Sequence, residues 1–273
     1  MIMKKIIALA LAFALCMTML AGCGGTEKTS SAEVSAASGS DVEYIKNKGE
    51  LVVGITIFEP FDYQDDQKNW VGFDAEFAKA AADKLGVKVK FQVIDWDNKV
   101  FELDAKSVDC LWNAMTITDK LQKSLDTTDA YMNNSQVVVM KADKLDSYKD
   151  ADSMKSLKFA AEAGSAGESA GKDAGFDVTA VTAQTDALTE VKSGSVDACI
   201  IDETMAKAMT GKGTGYEDLG YQLVLTEEQY GVGCRKGSDL VAVINELRKD
   251  MLKDGSLQKL AEKYDQSKTL ITE

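Results

Sequence analysis

Asp202, the run Gly164-Ser165-Ala166-Gly167 and Thr116 are placed where side chains and backbone could hold charge. Asp202 directly follows an apolar run at 196–201, so it lies at the carboxyl end of a strand, where α/β clefts form. An acid there can meet a cation, or it can cap the helix expected over 203–209, and the two roles can coexist. Gly164-Ser165-Ala166-Gly167 opens a helix with small residues, whose exposed backbone N–H groups and dipole suit a carboxylate. A plain N-cap by Ser165 is the structural alternative. Thr116 and the backbone of Ala114 follow a strand at 108–112, at an edge equivalent to that of Asp202. Glu162 precedes the Gly-Ser turn and could face the same space. Phe58 and Trp96 each follow a strand end and adjoin acids (Glu59; Asp95 and Asp97), a setting that favours a cleft wall over a core.

Composition limits the chemistry further. The chain of 273 residues has no histidine, which removes Ser-His-Asp and Cys-His catalysis and the commonest zinc ligand. Cys16 and Cys23 lie near the N-terminus, which leaves Cys110, Cys199 and Cys234, an odd number that cannot form a complete disulfide set. Cys110 and Cys199 sit in apolar, strand-like runs and are expected as buried small hydrophobes. No metal-ligand spacing is present, and no cofactor is expected. A formal net charge of −13 argues against nucleic acid or an anionic membrane surface as a partner. Binding is favoured over catalysis.

The elements that must position these residues begin after an export leader. Lys4 and Lys5, an apolar run over 6–20 and the small residues Ala21 and Gly22 read as a signal peptide over 1–22. Leu20-Ala21-Gly22-Cys23 resembles the bacterial lipobox, which implies a lipidated Cys23 as the first mature residue. Residues 23–40 are rich in Gly, Ser and Thr and form a flexible tether. From Asp41 onward, a strand at 51–55, a helix over 75–85, a strand at 87–94, a helix over 98–105 and a strand at 108–112 follow in order. A second set repeats the order: strands at 159–161, 178–181 and 196–201, with helices after 164, over 186–192 and over 203–209. Two similar lobes follow, over 41–134 plus 229–273 and over 135–228. Apolar strands near 135–140 and 223–232 cross between them, and the amphipathic tail from Leu240 packs back on the first lobe.

Six motifs in order then carry a family resemblance. They are Phe58-Glu59-Pro60-Phe61, Trp70-Val71-Gly72-Phe73-Asp74, Met115-Thr116-Ile117-Thr118-Asp119, Ala163-Gly164-Ser165, Val196-Asp197-Ala198 with Asp202, and Tyr230-Gly231-Val232-Gly233 before Arg235-Lys236-Gly237. The chain resembles the polar amino-acid-binding proteins of bacterial ABC importers, the glutamine- and histidine/lysine-binding group. The resemblance implies a two-lobed periplasmic-binding-protein-like α/β fold of type II. Each lobe is a mostly parallel sheet flanked by helices, and the lobes close on a small polar amino acid. It implies Asp202 on the ligand's ammonium, Thr116 bonded to the ligand, and Phe58 and Trp96 against its side chain. Phe61 is expected in the core, and Asp74 as a helix cap.

The resemblance also implies ABC permease subunits as partners, a monomer, and a place at the extracytoplasmic face of the cell membrane. One departure matters: the family's usual arginine is replaced by Leu121, with Lys120 beside it. The carboxylate could be held by the Ser165 helix end and Thr116 alone, Lys120 could swing in, or the ligand could be no ordinary α-amino acid. Acids at Glu59, Glu162 and Asp202 favour a cationic ligand. Two other functions share the scaffold. One is a cyclohexadienyl-dehydratase-like enzyme with Glu162 or Glu168 as the acid; the other is a ligand-sensing domain.

Overall fold

The computed structural model describes residues 39–273; the expected signal peptide, Cys23 and nearly all of the tether lie outside the described residues. The first half runs α1 (Asp41–Lys48), β1 (Glu50–Ile55), a short hairpin of β2 (Tyr63–Gln64) and β3 (Trp70–Val71), α2 (Phe73–Leu85), β4 (Lys88–Val93), α3 (Lys99–Asp104), β5 (Cys110–Thr116), α4 (Asp119–Gln122) and β6 (Leu125–Thr127). The long β7 (Met132–Lys141) leads into β8 (Lys158–Glu162), α5 (Ala166–Asp173), β9 (Asp177–Val181), α6 (Gln184–Ser193), β10 (Ala198–Asp202) and α7 (Glu203–Met209). A second long strand, β11 (Leu219–Arg235), returns to α8 (Leu240–Asp254) and α9 (Ser256–Lys263).

Nine strands join in one sheet, in the order β4-β1-β5-β11-β7-β10-β8-β9, with β6 paired to β11 off that path. β4, β1 and β5 are mutually parallel, as are β10, β8 and β9. The antiparallel pair β7 and β11 stands between these two parallel runs and is bonded to both. β11 spans the junction because its first half pairs with β7 and its last residues pair with β5 and β6. Crossover helices between parallel strands leave all the carboxyl ends of each run on one side.

Helix α2 shows why the chain folds this way locally. Phe73, Phe77, Ala81 and Leu85 recur at helical spacing and are buried against the sheet, with Phe77 edge-on to Trp112 at 4.8 Å. Burial of each such aromatic side chain contributes roughly 1.5–3 kcal/mol. Gly86 ends the helix in a left-handed conformation. Gly72 starts it, and only glycine fits there: a Cβ would lie 2.0 Å from the Phe61 carbonyl oxygen. The start at Gly72 overturns the expectation that Asp74 caps the helix. Asp74 lies inside the first turn, fully buried, and accepts from the Ala114 N–H and the Tyr131 hydroxyl instead. Phe61 is in the core as expected, and α8 and α9 pack against α2. Cys110, Cys199 and Cys234 are buried free thiols.

One buried ion cluster ties the N-terminal helix to the end of β11. Arg235 Nε donates to Asp41 at 3.0 Å, and its Nη1 donates to the carbonyls of Leu103 and Val108. Asp109, fully buried nearby, is held by Lys48 at 2.6 Å and by the Val52 N–H at 2.7 Å. Removing Arg235 leaves Asp41 buried without its cation, and such losses cost about 3–5 kcal/mol. Arg235→Met is therefore expected to lower the urea midpoint by that equivalent. An unchanged midpoint would show the cluster to be neutral for stability.

Candidate functional site

The carboxyl ends of the two parallel runs face a single cavity of about 460 Å³. From the first run come Phe58 after β1, Trp96 after β4, and Ala114 and Thr116 at the end of β5. From the second come Glu162 at the end of β8, Ser165 and Ala166 at the start of α5, and Asp202 at the end of β10. The eight ligand-binding residues nominated from sequence thus line one space, but Glu59, also expected to lend it acidity, is exposed and is not part of its lining. β5 runs to Thr116, so Thr116 ends that strand rather than following it.

Asp202 is 5% exposed, and its carboxylate is ringed by uncharged donors. Oδ1 accepts from the Asn134 amide at 2.6 Å, the Gln136 amide at 3.0 Å and the Tyr230 hydroxyl at 2.6 Å. Gln184 clamps it at two points: its amide donates to Oδ2, and its carbonyl oxygen accepts from the Asp202 N–H. Asp202 does stand at the N-cap position of α7, yet its side chain makes no capping bond; Asn134 Oδ1 accepts from Thr204 N instead, at 3.4 Å. Burial pushes the Asp202 carboxyl well above the usual carboxylate range, and the nearby Glu228 pushes it the same way.

The start of α5 is organised by Ser165, whose Oγ accepts from Glu168 N at 3.0 Å, while Glu168 reaches back to the Gly164 N–H at 2.8 Å. This reciprocal cap leaves the first-turn N–H groups of Ala166 and Gly167 without intrahelical partners. Ala114 has φ 47°, a left-handed conformation, and its N–H is held by Asp74 at 2.5 Å. Burial pushes the Asp74 carboxyl up to about 7, against the opposing bonds from Ala114 and Tyr131. Phe58 and Trp96 are 3% and 7% exposed, so each belongs at once to an apolar cluster and to the cavity wall.

The two runs touch across the cavity. Lys99 Nζ, beside the Trp96 ring at 5.0 Å, donates to the Trp96 carbonyl at 3.0 Å and to the Gly164 carbonyl at 2.8 Å. Gly164 has φ 70°, and a Cβ there would sit 2.8 Å from Asp97 Cα, so close approach requires glycine. Glu162 is 3% exposed, and its Oε1 has no hydrogen-bond partner. Burial pushes its carboxyl up to about 8, only partly offset by the Lys99 charge. Leu121 and Lys120 both line the cavity, Leu121 half-buried and Lys120 exposed. No cluster of three or more metal-ligating side chains occurs among the described residues.

Sequence reasoning missed Asn134, Gln136, Gln184, Lys99 and Glu228. Asn134 and Gln136 stand two apart in β7 and so share one face, but the polar Asn133 and Ser135 beside them hide that alternation. Gln184 and Glu228 carry no signal: each is an ordinary polar residue in a helix or strand until the fold brings it to Asp202.

A family model for bacterial extracellular solute-binding proteins, family 3, matches residues 51–267. The chain belongs to that family. This family-3 solute-binding protein is 30% identical over 264 residues to the arginine-binding extracellular protein ArtP of Bacillus subtilis, covering 94% of this chain and 96% of the relative. It is 29% identical over 224 residues to the L-cystine-binding protein TcyJ of Escherichia coli, covering 81% and 84%. Among solved structures it is similar to a mutant of ArgBP from T. maritima, with TM-score 0.77 and 32% identity over 82% of this chain and 99% of that one. The family-3 protein therefore has the type II, two-lobed α/β architecture of amino-acid-binding proteins. No helix among its described residues is long and apolar enough to cross a membrane.

The raised Glu162 carboxyl has a consequence for stability. Between about pH 4.5 and 8 the native state keeps a proton that the unfolded chain has lost, so stability falls as pH rises through that window and levels off above it. Asp74 and Asp202 act in the same sense, so Glu162→Gln is expected to lessen the fall without abolishing it. Urea unfolding of both ligand-free proteins at pH 5 and pH 8 checks this; an identical fall in both would show Glu162 titrating normally.

Proposed function

We propose that this chain is the extracytoplasmic substrate-binding component of an ABC importer, which captures a polar amino acid and delivers it to membrane permease subunits. The observation that carries the reading is the meeting of Asp202 with the open N-terminus of α5 in one cavity. A zwitterion loses its hydration on entry and needs an acceptor for its ammonium and donors for its carboxylate. Asp202 takes the ammonium. The Ala166 N–H and Ser165, at the start of α5, take the carboxylate, with Thr116 beside them donating to Glu228. Phe58 and Trp96 supply the walls for the carbon skeleton, with the Ala114 backbone beneath.

Six acidic residues line the cavity against the two lysines Lys99 and Lys120, and a cation can displace the protons that burial keeps on Glu162 and Asp202, which favours a cationic amino acid. Similarity to arginine-binding proteins supports the same choice. We read residues 41–134 with 229–273 as one lobe and 135–228 as the other, hinged within β7 and β11. Contacts from both sides to one ligand favour the closed form, in which Lys99 reaches Gly164. The protein works as a monomer and performs no catalysis. One observation favours a dehydratase-like alternative: a carboxyl near 8 keeps its proton at neutral pH, as a general acid must. Glu168, the other candidate acid, is committed to Lys172 and the Gly164 N–H.

The leader over 1–22 would be removed and Cys23 lipidated, which leaves the body on a tether over 23–40 at the outer face of the cell membrane. Two outcomes test the whole reading. Asp202→Asn removes the charge and is expected to weaken amino-acid binding by about 10- to 100-fold, equivalent to about 1.5–3 kcal/mol for a charged hydrogen bond. Calorimetric titration measures this, and unaltered affinity would take Asp202 out of the site. Cys23→Ala is expected to move the protein from the membrane fraction to the soluble extracytoplasmic fraction; retention on membranes would refute the lipid anchor.

A further inference from the structure

Glu228 enters the cavity from β11 and stands beside Asp202. Its Oε1 accepts from the Thr116 hydroxyl at 2.9 Å, the Asn134 amide at 2.7 Å and the Gln136 amide at 2.8 Å. The same two amides also reach Asp202 Oδ1. Two carboxylates are thus strung on one set of donors, and every donor is uncharged. Neither acid takes part in an ion pair among the described residues, whereas the buried Asp41 and Asp109 do. Adjacent anions repel, and neutral amides do not cancel that repulsion. A proton held between the two acids relieves that repulsion, and an ammonium supplies the full charge that would replace it.

A second observation points to the same kind of ligand. Glu162, buried in the wall of this cavity, has an oxygen with no protein partner at all. Buried carboxylates are normally paired or hydrogen-bonded, so an unsatisfied one in a cavity wall is a place for a donor to arrive. The cavity therefore has two acidic positions: the Asp202–Glu228 pair and Glu162.

Provision for a ligand carboxylate beside the Asp202 pair is limited to uncharged donors at the start of α5. Thr116 has already given its hydroxyl proton to Glu228. Lys99 is spent on two backbone carbonyls, Lys120 is exposed at the rim, and Leu121 presents hydrocarbon. A carboxylate attached one carbon from the bound ammonium would meet Glu228, a like charge, with no cation to offset it.

We propose that Glu228 is a specificity-determining residue of this cavity: with Asp202 it forms a two-carboxylate seat for an ammonium and disfavours a carboxylate beside it. The cavity consequently takes dicationic amines, the decarboxylated counterparts of basic amino acids, at least as tightly as the amino acids themselves. This rests on the reading of the cavity as an importer's binding site for a cationic amino compound, and it adds that the ligand's carboxylate is dispensable.

Titration calorimetry on the full-length protein tests it with two matched pairs, lysine against cadaverine and arginine against agmatine. In the wild type each amine is expected to bind as tightly as its amino acid or more tightly. Glu228→Gln keeps an acceptor for the three donors and removes only the charge, so it is expected to shift both ratios tenfold or more toward the amino acid, with no loss of melting temperature. If either amino acid binds more tightly than its amine in the wild type, or if Glu228→Gln leaves the ratios where they were, the proposal is overturned and the importer reading stands. Binding of glutamine but of none of the four would overturn the proposal together with the cationic choice of ligand. Binding of no amino acid or amine would overturn the importer reading as well.

Discussion

A carboxylic acid held out of water without a counter-ion is the constraint on which this structure turns. The Asp202 carboxylate accepts four hydrogen bonds from uncharged donors on β7, α6 and β11. Each contact lowers the cost of burying the charge, and none cancels it. A site of that kind favours its neutral form, and a cationic ligand can take the place of the retained proton. The same arrangement explains why Asn134 and Gln136 are buried on one face of β7: without them the acid at the end of β10 would have too few donors.

The contrast with the Arg235 cluster shows the physical difference between a structural and a functional charge. Asp41 and Asp109 are as buried as Asp202, and both are matched by basic side chains from elsewhere in the chain. Asp74 represents a third solution. It has no cation, but it spends its hydrogen bonds on the Ala114 N–H and the Tyr131 hydroxyl and so holds the end of β5 in a left-handed conformation at the cavity floor. Three sets of buried acids therefore do three jobs: one fastens α1 to the sheet, one shapes the backbone of the site, and one awaits a ligand.

Much of this was legible in the residues. Apolar runs alternating with helical spacing marked the strands and helices to within a few positions, because burial on both faces of a parallel sheet demands such runs. The residues at strand ends were legible for the same reason, since a polar or aromatic side chain just past an apolar run has little core left to enter. Asp74 was misread as a cap because Gly72, two residues earlier, starts the helix, and the contact that forces a glycine there comes from Phe61. Glu228 was not legible at all. Within Thr226-Glu227-Glu228-Gln229 nothing distinguishes it from an exposed strand acid.

Local sequence determined the elements, the order of the strands' carboxyl ends and the small-residue turn before α5, because these depend on neighbours in the chain. Which acid finds a basic partner and which does not was decided only by tertiary structure. β11 must register against β7 before Glu228 faces Asn134, and α6 must dock before Gln184 clamps Asp202. Charge balance in a cavity is a sum over groups far apart in sequence, so no window of residues contains it.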